Sequence, residues 1–366
     1  MKLNKILLII PQNTSGGAER VLTQLANSFV CKNIDVTLVN FDKDSSFYYI
    51  NPKVNVIKMN LDFNTNSKLL KILKVPIIEI KRFCRIRKII KNINPDIVLP
   101  FLEMAEVLTI PNCIMLKKPF CVSLRNDFDK YFKYMKILAK LTYSKAKLVV
   151  CQTKAVVNQL NKHVKCNTTV IPNPLDKSSF IEAIPKERRK VIINVGRLTA
   201  QKNQELLIKS FSKIAKDFPE YDLHIFGKGE LKERLENLIV SLGLQQRVFL
   251  KGVIPNAVTK NNDASLFIMS SNYEGFPNTL VEAMANGIPA ISTDFDTKAA
   301  KEILNDGEYG YLVPVGDENA LANSIKDVLE NYDIALEKAK KALYIREELD
   351  AENIVDCWIE KIENVL

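Results

Sequence analysis

Two series of short β-branched runs, each alternating with helix-length segments, predict an α/β protein built from two Rossmann-like domains. Three observations carry that reading. The first is the alternation itself. The second is its interruption by the turn-forming string NPLDKSSF at 173–180, and the third is a charge balance that differs on the two sides of that break. The expected boundaries are 1–172 for the first domain and 173–351 for the second. A C-terminal helix at 352–366, bearing Trp358, is expected to cross back to the first domain.

The first series has strand-like runs at 6–10, 36–41, 97–100, 120–124 and 148–152, with helical patterns such as 18–30 and 131–143 between them. Lys2 and Lys5 ahead of the apolar run 6–10 imitate a signal peptide. The run is too short for that role, and Pro11 closes it without a small-residue cleavage site, so it reads as a buried first strand. The second series has runs at 190–195, 221–226, 248–250, 264–269, 289–293 and 310–313. Open parallel sheets bind ligands beyond the carboxyl ends of their strands, so two such domains facing each other are expected to form a cleft.

Composition narrows the class. The 366 residues are 47 % hydrophobic and 26 % charged, an ordinary globular balance with room for two cores. There is no run of 18 apolar residues, so no membrane-spanning helix is expected. Seven cysteines, odd in number and without a C-x-x-C pair, match a reducing compartment. Two histidines, His163 and His224, argue against a histidine-based zinc site or a Ser/His/Asp triad. Net charge is +10, but residues 1–172 hold 28 basic and 11 acidic side chains while the remainder is net negative. A basic first half suits phosphates, of a membrane or of nucleic acid.

Four strings carry candidate chemistry. In SGGAE, Gly16 and Gly17 stand between the first strand and its helix, where a backbone can approach a ligand and amides favour anions. The spacing is not that of the dinucleotide fingerprint, and a tight turn explains it equally well. In VGRLTAQKN, Arg197 and Lys202 follow a strand beside Gly196, with a helix beginning near Asn203. Two cations there suit a diphosphate, each charge-assisted contact contributing about 1.5–3 kcal/mol, although a solvated basic loop is the plainer reading. In IFGKGEL, Gly227 and Gly229 permit close packing against a ligand or a neighbouring strand.

The fourth string, SSNYEGFPNTLVEAMANGIPAIST, is the most specific. A strand ends in a loop carrying Glu274, Pro277 or Asn278 opens a helix that Gly287 ends, and Glu282 lies in that helix. The amides of Phe276, Pro277's successor Asn278, Thr279 and Leu280 mark a helix N-terminus able to hold a diphosphate. Carboxylates accept hydrogen bonds from hydroxyls, so one can hold a ribose and the other a hexose.

From SGGAE through VIPNPLD, VGRLTAQKN, IFGKGEL and FLKGVIPN to this last string, the chain resembles the retaining glycosyltransferases of family 4. The resemblance implies the GT-B fold and a metal-independent transfer that needs no cofactor. It implies that Arg197 and Lys202 stabilise the leaving diphosphate, Glu274 contacts the donor sugar and Glu282 the ribose. Backbone near Val253 would hold the base, and Gly16, Gly17 and Gly196 would lie close to the donor. The string SLRNDF at 123–128 is similar to a subgroup that moves UDP-activated amino sugars onto polyprenyl-diphosphate acceptors. The expected reaction is therefore transfer of GalNAc or another UDP-hexose to a lipid-linked glycan, in surface polysaccharide or glycan-precursor synthesis. One departure stands out. Where many members carry a histidine after the 120–124 run, this chain has Arg125, which either meets the transferred sugar or acceptor phosphate or forms an ion pair with Asp127 or Asp129.

The segment 66–94 sets nine basic residues, Lys81, Arg82, Arg85 and Lys88 among them, against the single Glu79, with apolar residues at helical spacing and Pro76 dividing the run. Such a helix favours an anionic membrane surface, about 1 kcal/mol for each cation near it. These cations, with Glu103 and Arg125, are also candidates to meet the diphosphate of a lipid-linked acceptor. A solvated helix face is the bland alternative. A second basic set follows at Lys130, Lys133, Lys136, Lys140, Lys145 and Lys147. The expected location is cytoplasmic, on the inner face of the cell membrane, with no nucleic-acid partner. Rival readings are a nucleotide-sugar epimerase or phosphorylase on the same architecture, or a non-catalytic basic binding module.

Overall fold

The computed structural model describes residues 1–12, 16–41, 48–61, 68–125 and 128–366, and the side chains of all of these except 68–75. They form two compact units, one of Met1–Pro174 with Ala351–Leu366 and one of Leu175–Asp350.

In the first unit the strands are β1 (Lys5–Ile10), β2 (Asp35–Asn40), β3 (Asn55–Lys58), β4 (Ile97–Pro100), β5 (Cys121–Ser123), β6 (Leu148–Cys151) and β7 (Thr168–Val170). Their helices are α1 (Gly17–Cys31), α2 (Lys68–Ile93), α3 (Glu103–Leu116), α4 (Lys133–Thr142) and α5 (Lys154–Asn161). A parallel sheet of order β3-β2-β1-β4 meets a second of order β5-β6-β7 through the bridges Val98 to Phe120 and Phe101 to Ser123. Strand order reverses beside β1, which makes the carboxyl ends of β1 and β4 the switch point where such sheets take ligands. Leu7, Ile9, Val98, Val122 and Val149 point into one core with Ile86 and Ile90 of α2.

The second unit repeats the plan. Its strands are β8 (Arg189–Val195), β9 (Asp222–Phe226), β10 (Val248–Gly252), β11 (Ala264–Met269), β12 (Ala290–Thr293) and β13 (Tyr311–Val313), in the order β10-β9-β8-β11-β12-β13. Every pair is parallel. The helices are α6 (Gln204–Ile214), α7 (Lys232–Ser241), α8 (Asn278–Ala285), α9 (Ala299–Ile303), α10 (Glu318–Glu330), α11 (Tyr332–Lys341) and α12 (Ile345–Glu348). Here the switch point lies between β8 and β11. The last helix, α13 (Ala351–Glu363), belongs to the first unit, where Trp358 is fully buried and Asp356 pairs with Lys32 at 2.6 Å.

Two differences from the sequence reading have physical causes. The strands β3 and β7 close the two ends of the first unit's order, and their residues are half-buried or exposed, so no apolar run announces them. Pro76 does not divide the basic run, because α2 passes through it without a break. A proline inside a helix forfeits one backbone hydrogen bond. The later turns hold the helix nonetheless, with Ile86, Ile89 and Ile90 in the core.

Candidate active site

At the second unit's switch point, the loop after β8 carries Gly196, Arg197 and Lys202, and the loop after β11 carries Glu274. The adjacency of β8 and β11 brings the two loops together although 72 residues separate Lys202 from Glu274. The Lys202 ammonium pairs with Glu274 Oε1, and Ser271 Oγ donates to the same oxygen at 2.6 Å. Gln201 Nε2 donates to the Tyr273 carbonyl at 3.0 Å and reaches Glu274 Oε2 at 3.4 Å. Thr297 Oγ1 donates to the Glu274 carbonyl at 2.8 Å. Glu274 is only 6 % exposed, and its carboxylate is held by three side chains while Thr297 holds its carbonyl. Arg197 stays exposed, with Nη2 donating to Gln201 Oε1 at 3.3 Å.

The backbone between the loops is stitched as well. Asn272 N donates to the Gln201 carbonyl and Asn272 Nδ2 to that of Ala200, both at 2.8 Å. Asn203 caps α6 through Leu206 N and donates to Asn272 Oδ1 at 2.9 Å. The glycines of IFGKGEL pack directly against this loop. A Cβ on Gly227 would lie 1.9 Å from the Gly196 carbonyl oxygen, and one on Gly229 would lie 2.2 Å from that of Leu198. Only glycine allows the two backbones so close.

α8 begins where the sequence places it, with Pro277 as the residue before its first turn. Phe276, Pro277 and Leu280 are buried, and Asn278 and Thr279 are half-buried. The Asn278 amide donates to Phe276 and the Leu280 amide to Pro277, so these two are satisfied within the turn. Glu282 is buried at 5 % exposure in the middle of this helix. Val253 is half-exposed just beyond β10.

The first unit's residues occupy its own switch point. Gly16 precedes α1 and Gly17 begins it, while Glu19 of that first turn is buried. Asn13 to Ser15 lie outside the described residues. Glu103 opens α3 beyond β4, next to Leu102 at φ +72°, a strained value for a leucine. Burial raises the Glu103 carboxyl above its ordinary range.

Arg125 is not in an ion pair with Asp129, which instead takes His163 Nε2 at 3.1 Å and Gln159 Nε2 at 2.7 Å. Asp127 lies outside the described residues. The Arg125 guanidinium is buried over the Phe101 ring at 4.3 Å and also faces Trp358. Its Nη1 donates to Asn173 Oδ1, which also accepts from Gln152 Nε2 at 2.6 Å. Nε and Nη2 have no hydrogen-bond partner among the described residues. Burial pulls this guanidinium down to about 9. Nearby, Tyr143 donates to Glu106 at 2.6 Å, and burial pushes the Glu106 carboxyl up to about 7.

The basic residues of α2 part company. Arg82 is buried, pairing with Glu79 at 2.8 Å over the Phe41 ring. Arg85 donates to the Met59 carbonyl at 2.9 Å. Lys81, Arg85 and Lys88 line a groove of about 560 Å³ with Ile57 and Ile89. Sequence reasoning missed Ser271, Gln201, Thr297, Asn173 and Glu106. Ser271, Gln201 and Asn173 stand inside the strings named above, but single polar residues there carry no signal of their own.

Residues 15–179 match the family model described as Glycosyltransferase Family 4, and residues 176–345 match that of Glycosyl transferases group 1. An uncharacterised glycosyltransferase of Methanocaldococcus jannaschii is 31 % identical over 343 residues, covering 78 % of this chain and 84 % of the relative. An α-1,4-N-acetyl-D-galactosaminyltransferase of Campylobacter jejuni, whose name specifies a GalNAc-bearing diNAcBac-PP-undecaprenol, is 28 % identical over 99 % of both chains. An Anabaena protein solved in complex with UDP and glucose superposes with a TM-score of 0.80 over 99 % of this chain and 100 % of its own. At 19 % identity that last likeness speaks for the fold.

Proposed function

From the premise that the chain belongs to glycosyltransferase family 4 and is a glycosyltransferase of the GT-B fold, we propose a retaining, metal-independent transfer of a sugar from a UDP-sugar to a lipid-linked glycan. GalNAc is the first candidate sugar. The observation that carries this reading is the pairing of half-buried Lys202 with buried Glu274, braced at the switch point with Glu274 a few residues before α8. The Campylobacter relative's substrate supports the acceptor class, and the UDP complex of the Anabaena protein supports the donor class.

The chemistry follows from the groups present. The anomeric C–O bond to the diphosphate weakens first, and negative charge grows on the leaving group. Lys202 and Arg197 take up that charge, aided by the positive end of α8. Glu274, fixed by Ser271 and Gln201, accepts hydrogen bonds from the sugar hydroxyls, and Glu282 those of the ribose. Gly196 and the backbone at Val253 complete the donor's bed. The acceptor hydroxyl then attacks on the face the diphosphate leaves, and the departing phosphate accepts its proton. No protein carboxylate acts as base. The first unit takes the acceptor, with Lys81, Arg85 and Lys88 meeting its diphosphate. Among the described residues no helix is long and apolar enough to cross a membrane. The lipid-linked acceptor of the Campylobacter relative supports a reaction at the inner face of the cell membrane.

The test is direct. Purified protein is incubated with UDP-GalNAc, UDP-GlcNAc or UDP-glucose and a polyprenyl-diphosphate-linked saccharide, with and without EDTA. An α-linked product from the α-linked donor, formed equally with EDTA, is expected. A β-linked product overturns retention, turnover lost on chelation overturns metal independence, and an unconsumed acceptor overturns the acceptor class.

A further inference from the structure

The helix α4 has two apolar faces, and only one of them packs on the protein. Met135, Ala139 and Thr142 are buried, at the spacing of a core-facing stripe. Phe128 and Tyr131, just before the helix, are buried as well. A second stripe faces solvent: Tyr134 is 58 % exposed, Ile137 51 % and Leu141 66 %. Phe132, 66 % exposed, stacks on Tyr134 with centroids 5.7 Å apart and planes within 10°. Four large apolar side chains presented together by one short helix exceed the scattered exposure an ordinary surface shows.

The charges along this segment are almost all positive. Between Phe128 and Lys147 the chain carries Lys130, Lys133, Lys136, Lys140, Lys145 and Lys147 against the single Asp129. That carboxylate is occupied by His163 and Gln159. Lys133 and Lys140 stand two turns apart on α4 itself. An apolar face with aromatic residues, flanked by six lysines against one aspartate, complements a surface that is apolar beneath a negative skin. That is an anionic lipid leaflet. A protein partner with a matching acidic rim would have to supply the same layered chemistry.

We propose that α4 is the membrane-seating element of this protein, with Phe132, Tyr134, Ile137 and Leu141 entering the headgroup boundary of an anionic leaflet and the lysines lying on its phosphates. The proposal rests on the peripheral membrane association inferred above, and it assigns that association to α4 and not to the basic helix α2. Because the four side chains are already in water, replacing them removes no core contact.

The full chain is tested by flotation with phosphatidylcholine vesicles, with and without phosphatidylglycerol. Wild type is expected to bind only the anionic vesicles. The double variant Ile137→Ser/Leu141→Ser is expected to bind them about 10–100-fold more weakly. Lys133→Glu/Lys140→Glu is expected to lose roughly 100-fold or more. Donor hydrolysis without lipid should be unchanged in both. A Leu141→Trp reporter should shift to the blue and be quenched by brominated lipid, while the fully buried Trp358 gives a constant background. Wild-type binding that survives both double variants, with an unquenched reporter, overturns the assignment to α4 and leaves membrane association standing. No wild-type binding to anionic vesicles overturns both. A lipid-free dimer dispersed by Ile137→Ser/Leu141→Ser overturns the proposal in favour of self-association.

Discussion

The switch points of the two units are built on one topology and solve opposite problems. In the second unit the charged groups beyond β8 and β11 satisfy one another: Lys202 holds Glu274, and Ser271 and Gln201 brace the carboxylate. In the first unit Arg125 is buried beyond β5 over aromatic rings, and among the described residues two of its nitrogens have no hydrogen-bond partner and no carboxylate pairs with it. A paired site keeps its geometry before any ligand arrives. An unpaired buried cation raises the free energy of the empty state and lowers it again when an anion comes near. The contrast agrees with the proposal that the second unit holds the donor and the first unit the acceptor.

The most severe way to break the donor bed is Lys202→Ala. It removes the charge proposed to meet the leaving diphosphate and leaves Glu274 buried without its cation. A fall in kcat of roughly 10²–10³ is expected, and steady-state UDP release measures it. Near-normal turnover would sink the role given to Lys202. Next comes the packing beneath that loop. Gly227→Ala forces a Cβ against the Gly196 carbonyl, and a loss of about 3 kcal/mol or more in urea unfolding is expected. An unchanged midpoint would show that the loop yields easily.

The first unit is tested by two changes of smaller size. Glu106 titrates near 7 in the folded protein against an ordinary 4.5, so between those values the folded chain keeps a proton the unfolded chain has lost. The stability it contributes is therefore complete below the lower value and gone above the upper one. Relative to wild type, Glu106→Gln should gain about 2–3 kcal/mol between roughly pH 5 and pH 8. A difference that does not vary with pH refutes the cause. The mildest is Arg125→Met, which fills the space between Phe101 and Trp358 without a charge. It should stabilise the fold by about 1 kcal/mol and lower transfer to a lipid-linked acceptor while leaving donor hydrolysis intact. Equal loss of both activities would move Arg125 to the donor.

Much of this was legible in the chain because it is local. The strand at Ala264–Met269 is a run of buried residues, apolar but for Ser265, and its bounds follow from that local pattern. α8 starts at a proline turn and stops before Gly287, both local signals. The edge strands β3 and β7 were invisible for the matching reason: half-exposed edges need no apolar run. Pro76 misled because a local breaker was outweighed by the packing of Ile86 and Ile90 further along the same helix.

The sequence by itself determined the two-unit α/β plan, the family, and the strings that carry Arg197, Lys202 and Glu274, since periodicity, turn chemistry and motif strings are properties of neighbours in the chain. Only the tertiary structure decided who meets whom. Lys202 and Glu274 pair because β8 lies beside β11, Gly227 is glycine because Gly196 passes over it, and Arg125 turned inward to Asn173 and away from Asp129. Charge–charge and backbone–backbone encounters depend on distance in space, and no pattern along a chain encodes that distance until the sheet has set its strand order.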